Sequence, residues 1–338
     1  MLNRRFSRFC AAAAALVLAG CAKAEPSRTE FVLHTVCSVT LYDQAKAKIY
    51  ENIFSRLGEI ETRMSVNLPG ADIARVNAAA GTGPVQVHDD VFAVIERALY
   101  FAEMSGGAFD PTVEPLVSLW GIGGDNPRLP SQAEIDAVLP LINWRDVVLD
   151  RQRHSVFLRR PGMALDLGAI AKGYAADEAE MILRKARIKQ AIIDLGGNVL
   201  TYGQKKDKSP WRVGLQNPLQ DRGAYVGIVE GRAQTVVTSG IYERYFEADG
   251  IRYHHIFSPF DGYPVRNGLT SVSIITGNSM DADALSTSVF VMGYEKGRAL
   301  VESLEGVEAV FMFDDMSVRK TAGAVFTVTN ENFRLLQD

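Results

Sequence analysis

The sequence has little cysteine, with three residues among 338. Cys10 falls in a segment with the features of a signal peptide and Cys21 follows that segment, which leaves Cys37 for the folded domain. A single thiol cannot form an intrachain disulfide, so an exported domain of this sequence must be stable through its core. Cys37 lies in the alternating stretch from Phe31 to Tyr42, which favours a buried strand residue over a nucleophile.

Basic patches and long apolar runs are also missing. The formal net charge is −4, and no basic stripe with interleaved aromatics occurs, which argues against nucleic-acid binding. After the N-terminus, no apolar segment approaches the length needed to cross a bilayer. The composition is 47% apolar and 22% charged, as in ordinary globular proteins. The chain is long enough for one large domain or two closely packed ones, and no convincing linker or repeat divides it.

Several standard catalytic motifs are absent. The sequence has no G-x-x-x-x-G-K-[ST] phosphate loop, no H-E-x-x-H zinc pair and no G-x-S-x-G nucleophile elbow. The glycine cluster at 121–124 does not complete a dinucleotide-binding fingerprint and follows no clear strand. Any enzymatic chemistry must therefore come from a different arrangement of residues.

The N-terminus carries a targeting signal. Three arginines among the first eight residues precede an apolar run at 11–18 that is too short to span a bilayer comfortably. Residues 18–21, Leu-Ala-Gly-Cys, resemble the bacterial lipoprotein processing signal, whose cleavage would leave lipid on Cys21. The alternative is a chance cysteine in an ordinary signal peptide. We predict a signal peptide at 1–20, a lipidated tether at 21–30 and a single folded domain at 31–338.

Hydrophobic periodicity predicts a mixture of helices and strands. Residues 31–41 alternate as a strand, and the spacing of apolar residues over 49–64 predicts a helix. Prolines and glycines predict that residues 108–121 are rich in loops. Residues 162–165 are predicted to end a short strand, the region from 191 to 276 is rich in strand patterns, and two helices are predicted around Gly293.

The stretch from Asp166 to Asp177 places a carboxylate, a glycine turn and Lys172 at the start of a predicted helix. The free N–H groups and the positive dipole end of such a helix favour phosphate. The alternative is a plain strand–turn–helix connection with a solvated lysine.

A second polar stretch runs from Met280 to Ser288. It places Asp283 and Thr287 one helical turn apart, both with oxygen ligands. Together with Asp166 and a carbonyl near Ala169, they offer the hard ligands that Mg²⁺ prefers, and such sites often use substrate phosphates to complete the octahedron. The alternative is that the acidic residues at this helix start merely interact favourably with the helix dipole.

The pair His254-His255 precedes a turn rich in proline and glycine. A histidine in that place is often a polar strand terminus. Next to a metal site it is also a candidate base or phosphate contact.

These motifs together resemble one family, the FAD:protein FMN transferases, also called ApbE, which are flavin-trafficking lipoproteins of bacterial envelopes. The resemblance covers nearly the whole chain after the tether, and the motifs occur in the family's order. The matching segments are 64–65 and 72–77; 107–113 with 119–121; 166–173; 194–198; 238–240; 255–256; and 281–287.

The resemblance implies an α+β fold with antiparallel and mixed sheets of the T-fold-like kind, which holds FAD in a cleft. It implies transfer of FMN from FAD to a threonine or serine hydroxyl of an envelope or membrane acceptor protein, such as a subunit of a redox complex, with release of AMP. The location implied is the periplasmic side of an envelope membrane, with the inner membrane favoured. The residues that it assigns to FAD are Ala108, Phe109, Asp110, Asp166, Lys172 and His255. Those that it assigns to Mg²⁺ are the carbonyl of Ala169 and the side chains of Asp283 and Thr287. The predicted catalytic residues are His255 and Asp283.

The sequence departs from the family pattern at two positions. The position of Asn67 is predicted to contact FAD, but many members have an aromatic residue there, and asparagine cannot stack on a flat ring. The usual acidic residue after the histidine strand is Ser258 here. The first departure favours turnover and release over tight retention of FAD. One alternative function is therefore a Mg²⁺-dependent FAD pyrophosphatase that gives FMN and AMP. A separate alternative is a non-catalytic lipoprotein that stores FAD.

Overall fold

The computed structural model describes residues 26–43, 46–220 and 223–336. The predicted signal peptide and Cys21 lie outside the described residues. Helices and mainly antiparallel sheets combine into an α+β fold, which confirms the predicted fold class. The helices are α1 (Ala47–Met64), α2 (Asp72–Ala78), α3 (Asp89–Met104), α4 (Glu114–Trp120), α5 (Gln132–Val138), α6 (Ala171–Lys185), α7 (Ser279–Met292) and α8 (Tyr294–Glu302).

The strands are short and most of them pair with an antiparallel neighbour. In chain order they are β1 (Ser27–Val32), β2 (Thr35–Leu41), β3 (Val85–Gln86), β4 (Val147–Asp150), β5 (Ser155–Leu158), β6 (Gln190–Leu195), β7 (Asn198–Gly203), β8 (Trp211–Gln216), β9 (Tyr225–Gly231), β10 (Gln234–Gly240), β11 (Tyr245–Ala248), β12 (Ile251–His254), β13 (Leu269–Thr276), β14 (Glu308–Phe313), β15 (Ser317–Lys320), β16 (Phe326–Val328) and β17 (Arg334–Leu335).

A nine-stranded sheet forms the centre of the molecule, in the order β1-β2-β6-β7-β10-β13-β14-β15-β17. Every pair in it is antiparallel except β15 and β17, so the sheet is mixed. The smaller sheets are β16-β9-β8, β3-β5-β4 and the pair β11-β12. Strands β7, β10 and β13 are consecutive in the large sheet, so a helix that packs across them lies over the middle of the sheet.

Helix α7 is the helix that packs there. It contacts β10 and β13 on one side and α3, α6 and α8 on the others. Apolar and small residues surround its axis, which is the pattern of a helix buried on most sides. The buried hydroxyls of Ser286 and Ser288 donate to the carbonyls of Asp283 and Ala284, so they cost little in the core.

Three local predictions are wrong. The segment predicted as one strand at 31–41 is a hairpin, because Leu33 and His34 both adopt φ of 55° and turn the chain between β1 and β2. The predicted loop at 108–121 contains α4, whose first turn holds proline and whose end is the left-handed Gly121, so these residues mark helix boundaries. The predicted strand end at 162–165 amounts to one parallel bridge, between Ala164 and Val113.

Candidate active site

The crossing of α6 and α7 creates the site, and Gly173 permits the crossing. A Cβ atom at Gly173 would lie 2.6 Å from the Cα of Met280, so a side chain there would push the helices apart. One turn further along α6, the carboxylate of Asp177 accepts hydrogen bonds from the N–H groups of Ser279 and Met280, both at 2.9 Å. Asp177 thereby caps α7, and burial raises its pKa to about 6.

The two predicted residues Lys172 and Asp283 meet at this crossing. The Gly173 N–H donates to Asp283 Oδ2 at 2.9 Å, and Asp283 Oδ1 lies 3.6 Å from the ammonium of Lys172. That ammonium also donates to the Gly168 carbonyl at 3.0 Å. Asp283 is 4% exposed. One oxygen of a buried carboxylate is therefore satisfied by backbone, while the other faces a cation and keeps lone pairs for a ligand.

Asp166 is fixed at the entrance to α6. Its Oδ1 accepts the Gly168 N–H at 2.6 Å, and its own N–H donates to the Pro111 carbonyl at 2.8 Å. The preceding residue, Leu165, is bound through both its N–H and its carbonyl by the side-chain amide of Asn77, at 2.7 and 3.0 Å. The 72–77 and 107–113 motifs thus act as supports for the segment that carries Asp166.

The segment Ala108, Phe109 and Asp110 is buried beside that support. Asp110 Oδ1 accepts from the N–H and the hydroxyl of Thr112 at 2.8 and 2.6 Å, and Oδ2 accepts from the Trp144 N–H at 3.1 Å. Burial raises the pKa of Asp110. The Asp110 carboxylate therefore stabilises the loop that contains it. The FAD contacts assigned to Ala108, Phe109 and Asp110 stay predictions.

The oxygen donors at the crossing fit a hard cation. Within the described ranges, no three His, Cys, Asp or Glu side chains converge on a metal position. The predicted set is instead mixed: the Asp283 carboxylate, the Thr287 hydroxyl one turn along α7, and the Ala169 carbonyl just before α6. In that same part of the chain the Ala169 carbonyl accepts no hydrogen bond, so it has lone pairs to offer. Carboxylate, hydroxyl and carbonyl oxygens suit Mg²⁺.

The two histidines have different roles. His254 is buried, donates from Nε2 to the Val265 carbonyl at 2.8 Å and accepts the Ile256 N–H at Nδ1. Burial lowers the pKa of His254 to about 4, so it is a neutral structural residue.

His255 is partly exposed, and its Nδ1 lies 3.2 Å from the Arg244 carbonyl. A carbonyl can only accept, so Nδ1 carries the proton and Nε2 is the basic nitrogen. Desolvation by the surrounding protein lowers the pKa of His255 to about 3, as do the nearby charges of Arg244, His254 and Lys172, so the ring is neutral and Nε2 carries a lone pair.

Two other predicted positions make no hydrogen bond to this cluster within the described residues. Asn67 is exposed in the turn after α1, where its N–H and that of Leu68 donate to the Ser65 hydroxyl. Its contact with FAD stays a prediction. Cys37 is fully buried in β2, and burial raises its pKa to about 12, which confirms a buried strand residue.

Two residues that the sequence analysis did not single out belong to the neighbourhood of the site. Glu114 opens α4 with a buried Oε2 that has no partner within the described residues, and its pKa is raised by burial and by the charge of Asp166. Ser239, at the end of β10, contacts the hydroxyls of Ser286 and Thr287. Ser239 lies inside the matched motif at 238–240 and Glu114 directly follows the one at 107–113, but motif position alone does not reveal which side chain faces the site.

Comparison with known proteins shows the family. The model of the ApbE family matches residues 33–311. This chain belongs to the ApbE family. An FAD:protein FMN transferase of Treponema pallidum is 41% identical over 318 residues, covering 89% of this chain and 88% of the relative. One of Klebsiella pneumoniae is 42% identical over 271 residues, covering 80% and 83%.

The fold agrees with solved ApbE structures as well. The crystal structure of the ApbE protein of Thermotoga maritima superposes with a TM-score of 0.79 at 33% identity, covering 90% of this chain and 96% of that one. The predicted resemblance to the ApbE family is therefore confirmed from the amino-acid sequence and from the fold.

Proposed function

We propose that this ApbE protein is an enzyme that transfers FMN from FAD to a threonine or serine hydroxyl of an acceptor protein, with AMP as the leaving group. The observation that carries the proposal is the meeting of Lys172 and Asp283 where α6 crosses α7, with the Thr287 hydroxyl one turn further along α7. Relatives at 41% and 42% identity are named FAD:protein FMN transferases, which supports the same activity here.

The residues at the crossing have complementary tasks. Asp283, Thr287 and the Ala169 carbonyl would hold Mg²⁺, which when bound neutralises pyrophosphate charge and polarises phosphorus. Lys172 supplies a fixed positive charge beside them, and its bond to the Gly168 carbonyl orients it at the start of α6. The positive dipole end of α6 favours the same anion.

His255 is the residue that we assign to take the proton in the transfer, because its Nε2 carries the free lone pair of the ring. The acceptor oxygen bonds to the phosphorus on the flavin side, the bond from that phosphorus to the bridging oxygen breaks, and AMP leaves with the electron pair. The hydroxyl proton passes to Nε2 of His255, which is neutral and unprotonated because Nδ1 donates to the Arg244 carbonyl. Asp166, whose N–H donates to the Pro111 carbonyl, would contact FAD from the segment that leads into α6.

Hydrolysis of FAD is the second candidate activity. Water in place of the acceptor hydroxyl gives FMN and AMP by the same steps. The exposed Asn67 favours this reaction, because an asparagine in that turn offers no ring to retain the flavin or adenine. Storage of FAD without turnover is the third possibility, and release of AMP separates it from the other two.

The cellular place of the reaction rests on the N-terminal sequence. Lipid on Cys21 would anchor the protein to an envelope membrane with the catalytic domain in the periplasm, near flavin-accepting membrane proteins. Within the described residues, no helix has the length and apolar character needed to span a membrane.

The direct test is AMP release from FAD and Mg²⁺ by the purified protein. Asp283→Ala is expected to reduce AMP release at least 100-fold with the fold intact, because the metal loses its charged ligand. Asp136→Ala, which removes an exposed carboxylate on α5, is the matched control and should leave the rate unchanged. A chelator should abolish AMP release by the wild type, and added Mg²⁺ should restore it. Full activity of Asp283→Ala in chelator would refute the metal assignment.

A further inference from the structure

A chain of hydroxyl groups connects the sheet to the candidate metal ligand. Ser239 Oγ, at the end of β10, lies 2.8 Å from Ser286 Oγ and 3.2 Å from Thr287 Oγ1. Ser286 Oγ in turn lies 2.8 Å from the backbone carbonyl of Asp283. Three hydroxyls and one carbonyl therefore form an unbroken series between β10 and α7.

The direction of every hydrogen bond in this series follows from its last member. A carbonyl oxygen can only accept, so Ser286 donates its one proton to Asp283. Ser286 then has no proton for Ser239, so Ser239 must donate to Ser286. Ser239 in turn has no proton for Thr287, so Thr287 must donate to Ser239.

This order has a consequence for the outer face of Thr287. Its proton points back to Ser239, and the lone pairs of Oγ1 remain for another partner. A cation ligand requires lone pairs in that place, because a hydroxyl that directs its proton at a cation repels it. Thr287 and Ser239 are both partly exposed, while Ser286 is fully buried. Thr287 lies one turn along α7 from Asp283, so it is the exposed hydroxyl beside the candidate carboxylate ligand.

We propose that Ser239 is a positioning residue, which orients the Thr287 hydroxyl so that its lone pairs face the bound divalent cation. The proposal rests on the proposed function, since that function places the cation beside Thr287. Ser239 itself does not touch the cation. It acts through Thr287, and the buried Ser286 and the Asp283 carbonyl hold its own proton in place.

The test measures cation binding by the full-length protein, with Mn²⁺ alone as the probe and electron paramagnetic resonance of the free ion as the readout. Ser239→Ala is expected to weaken Mn²⁺ binding about 3- to 10-fold, the range that one hydrogen bond contributes. Ser239→Thr keeps the hydroxyl on a strand residue and should restore binding. Ser239→Cys, with a weaker donor and acceptor, should fall between them and serves as the second variant if the alanine variant is unstable.

Ser273→Ala is the matched control. Ser273 Oγ pairs with Thr238 Oγ1 at 2.7 Å, across the same two strands β10 and β13, but this pair is not in the series that ends at Thr287. It should leave Mn²⁺ affinity unchanged, whereas a loss equal to that of Ser239→Ala would show a general effect on the sheet and overturn the proposal.

Thr287→Val separates failure of this inference from failure of the proposed function. If the valine variant binds Mn²⁺ as the wild type does, the cation site itself is misassigned. If Thr287→Val weakens binding, the proposal requires that Ser239→Ala add no further loss in the valine background. An equal loss in both backgrounds, or no loss in either, would show that Ser239 does not act through Thr287 and would overturn the proposal.

Discussion

Substitution of Asn67 tests whether this residue determines the affinity for FAD and the rate of AMP release. It lies exposed in the turn after α1, where a larger side chain disturbs no core packing. Asn67→Tyr is expected to raise the affinity for FAD about 3- to 10-fold, from a stacking gain of about 0.5–1.5 kcal/mol. AMP release should slow, because tighter binding of the ground state does not speed chemistry.

The two effects of Asn67→Tyr are measured on the same preparations, by flavin fluorescence titration and by timed AMP release. Asn67→Ala is the matched control, since it changes the turn residue without adding a ring. If affinity and rate are both unchanged in the tyrosine variant, Asn67 is a solvent-facing turn residue with no part in binding.

Glu114 makes stability depend on pH in an identifiable direction. Burial raises its pKa above the usual 4.5, and the charge of Asp166 adds to the effect. The folded protein therefore binds more protons than the unfolded chain above pH 4.5, so the free energy of unfolding falls as pH rises through that region. Glu114→Gln does not titrate, and Oε1 remains an acceptor for the Ser118 hydroxyl.

We expect Glu114→Gln to gain stability relative to the wild type as pH rises from 4 to 7, measured by urea denaturation at several pH values. The difference should be smallest at pH 4, where the wild-type carboxyl is protonated. A difference that is constant across this range would show that Glu114 ionises normally.

Local sequence predicts the positions of some site residues but not of others. Asp283 and Thr287 were predictable as a pair because helical spacing alone puts them on one face. The meeting of Asp283 with Lys172 required the resemblance, since 110 residues separate Gly173 from the carboxylate that its N–H binds. The roles of Ser239 and Glu114 depend on which side chain the fold turns toward its neighbours, and periodicity carries no such information.

At the scale of elements, Gly173 sets the distance between α6 and α7. Gly173→Ala is expected to destabilise the protein by about 1–3 kcal/mol, because the new Cβ would overlap the backbone of Met280. This packing penalty opposes a gain of about 1 kcal/mol in helix propensity, so the sign of the change in stability shows which of the two effects is larger. AMP release should fall as well, since Lys172 and Asp283 move apart.

Gly58→Ala is the control for the gain in helix propensity. A Cβ at Gly58 in α1 meets nothing within 4 Å, so the substitution should stabilise by about 0.5–1 kcal/mol. Thermal unfolding of both variants measures the comparison. Stabilisation by Gly173→Ala would contradict the close crossing of the two helices.

Long, periodic elements were predictable from the sequence, and short irregular ones were not. The apolar face of α1 is buried as its spacing predicts. The β1–β2 hairpin escaped prediction because its turn uses Leu33 and His34 at positive φ, without the glycine or asparagine that usually marks such turns. The strands β3 and β17 have two residues each and are strands only because they pair with β5 and β15, which local periodicity does not reveal.

At the scale of the whole molecule, the proposed lipid on Cys21 would decide which acceptors the enzyme meets. Cys21→Ser is expected to prevent lipidation, since the thioether requires sulfur, and the protein should move from the membrane fraction to the soluble periplasmic fraction. Two or three acyl chains hold a protein firmly, whereas one binds reversibly. Cell fractionation with a salt wash measures the change, and a variant that stays on the membrane would show that another element anchors it.

The proposed function requires that FMN leaves FAD and becomes bound to protein. The most direct measurement incubates the purified enzyme with FAD, Mg²⁺ and an envelope extract of the source bacterium, then separates the denatured proteins and records flavin fluorescence alongside AMP. We expect a fluorescent acceptor band that survives denaturation, AMP in matching amount, and loss of both with Asp283→Ala. Release of AMP and free FMN without any flavin-labelled protein would contradict transfer and establish hydrolysis in its place.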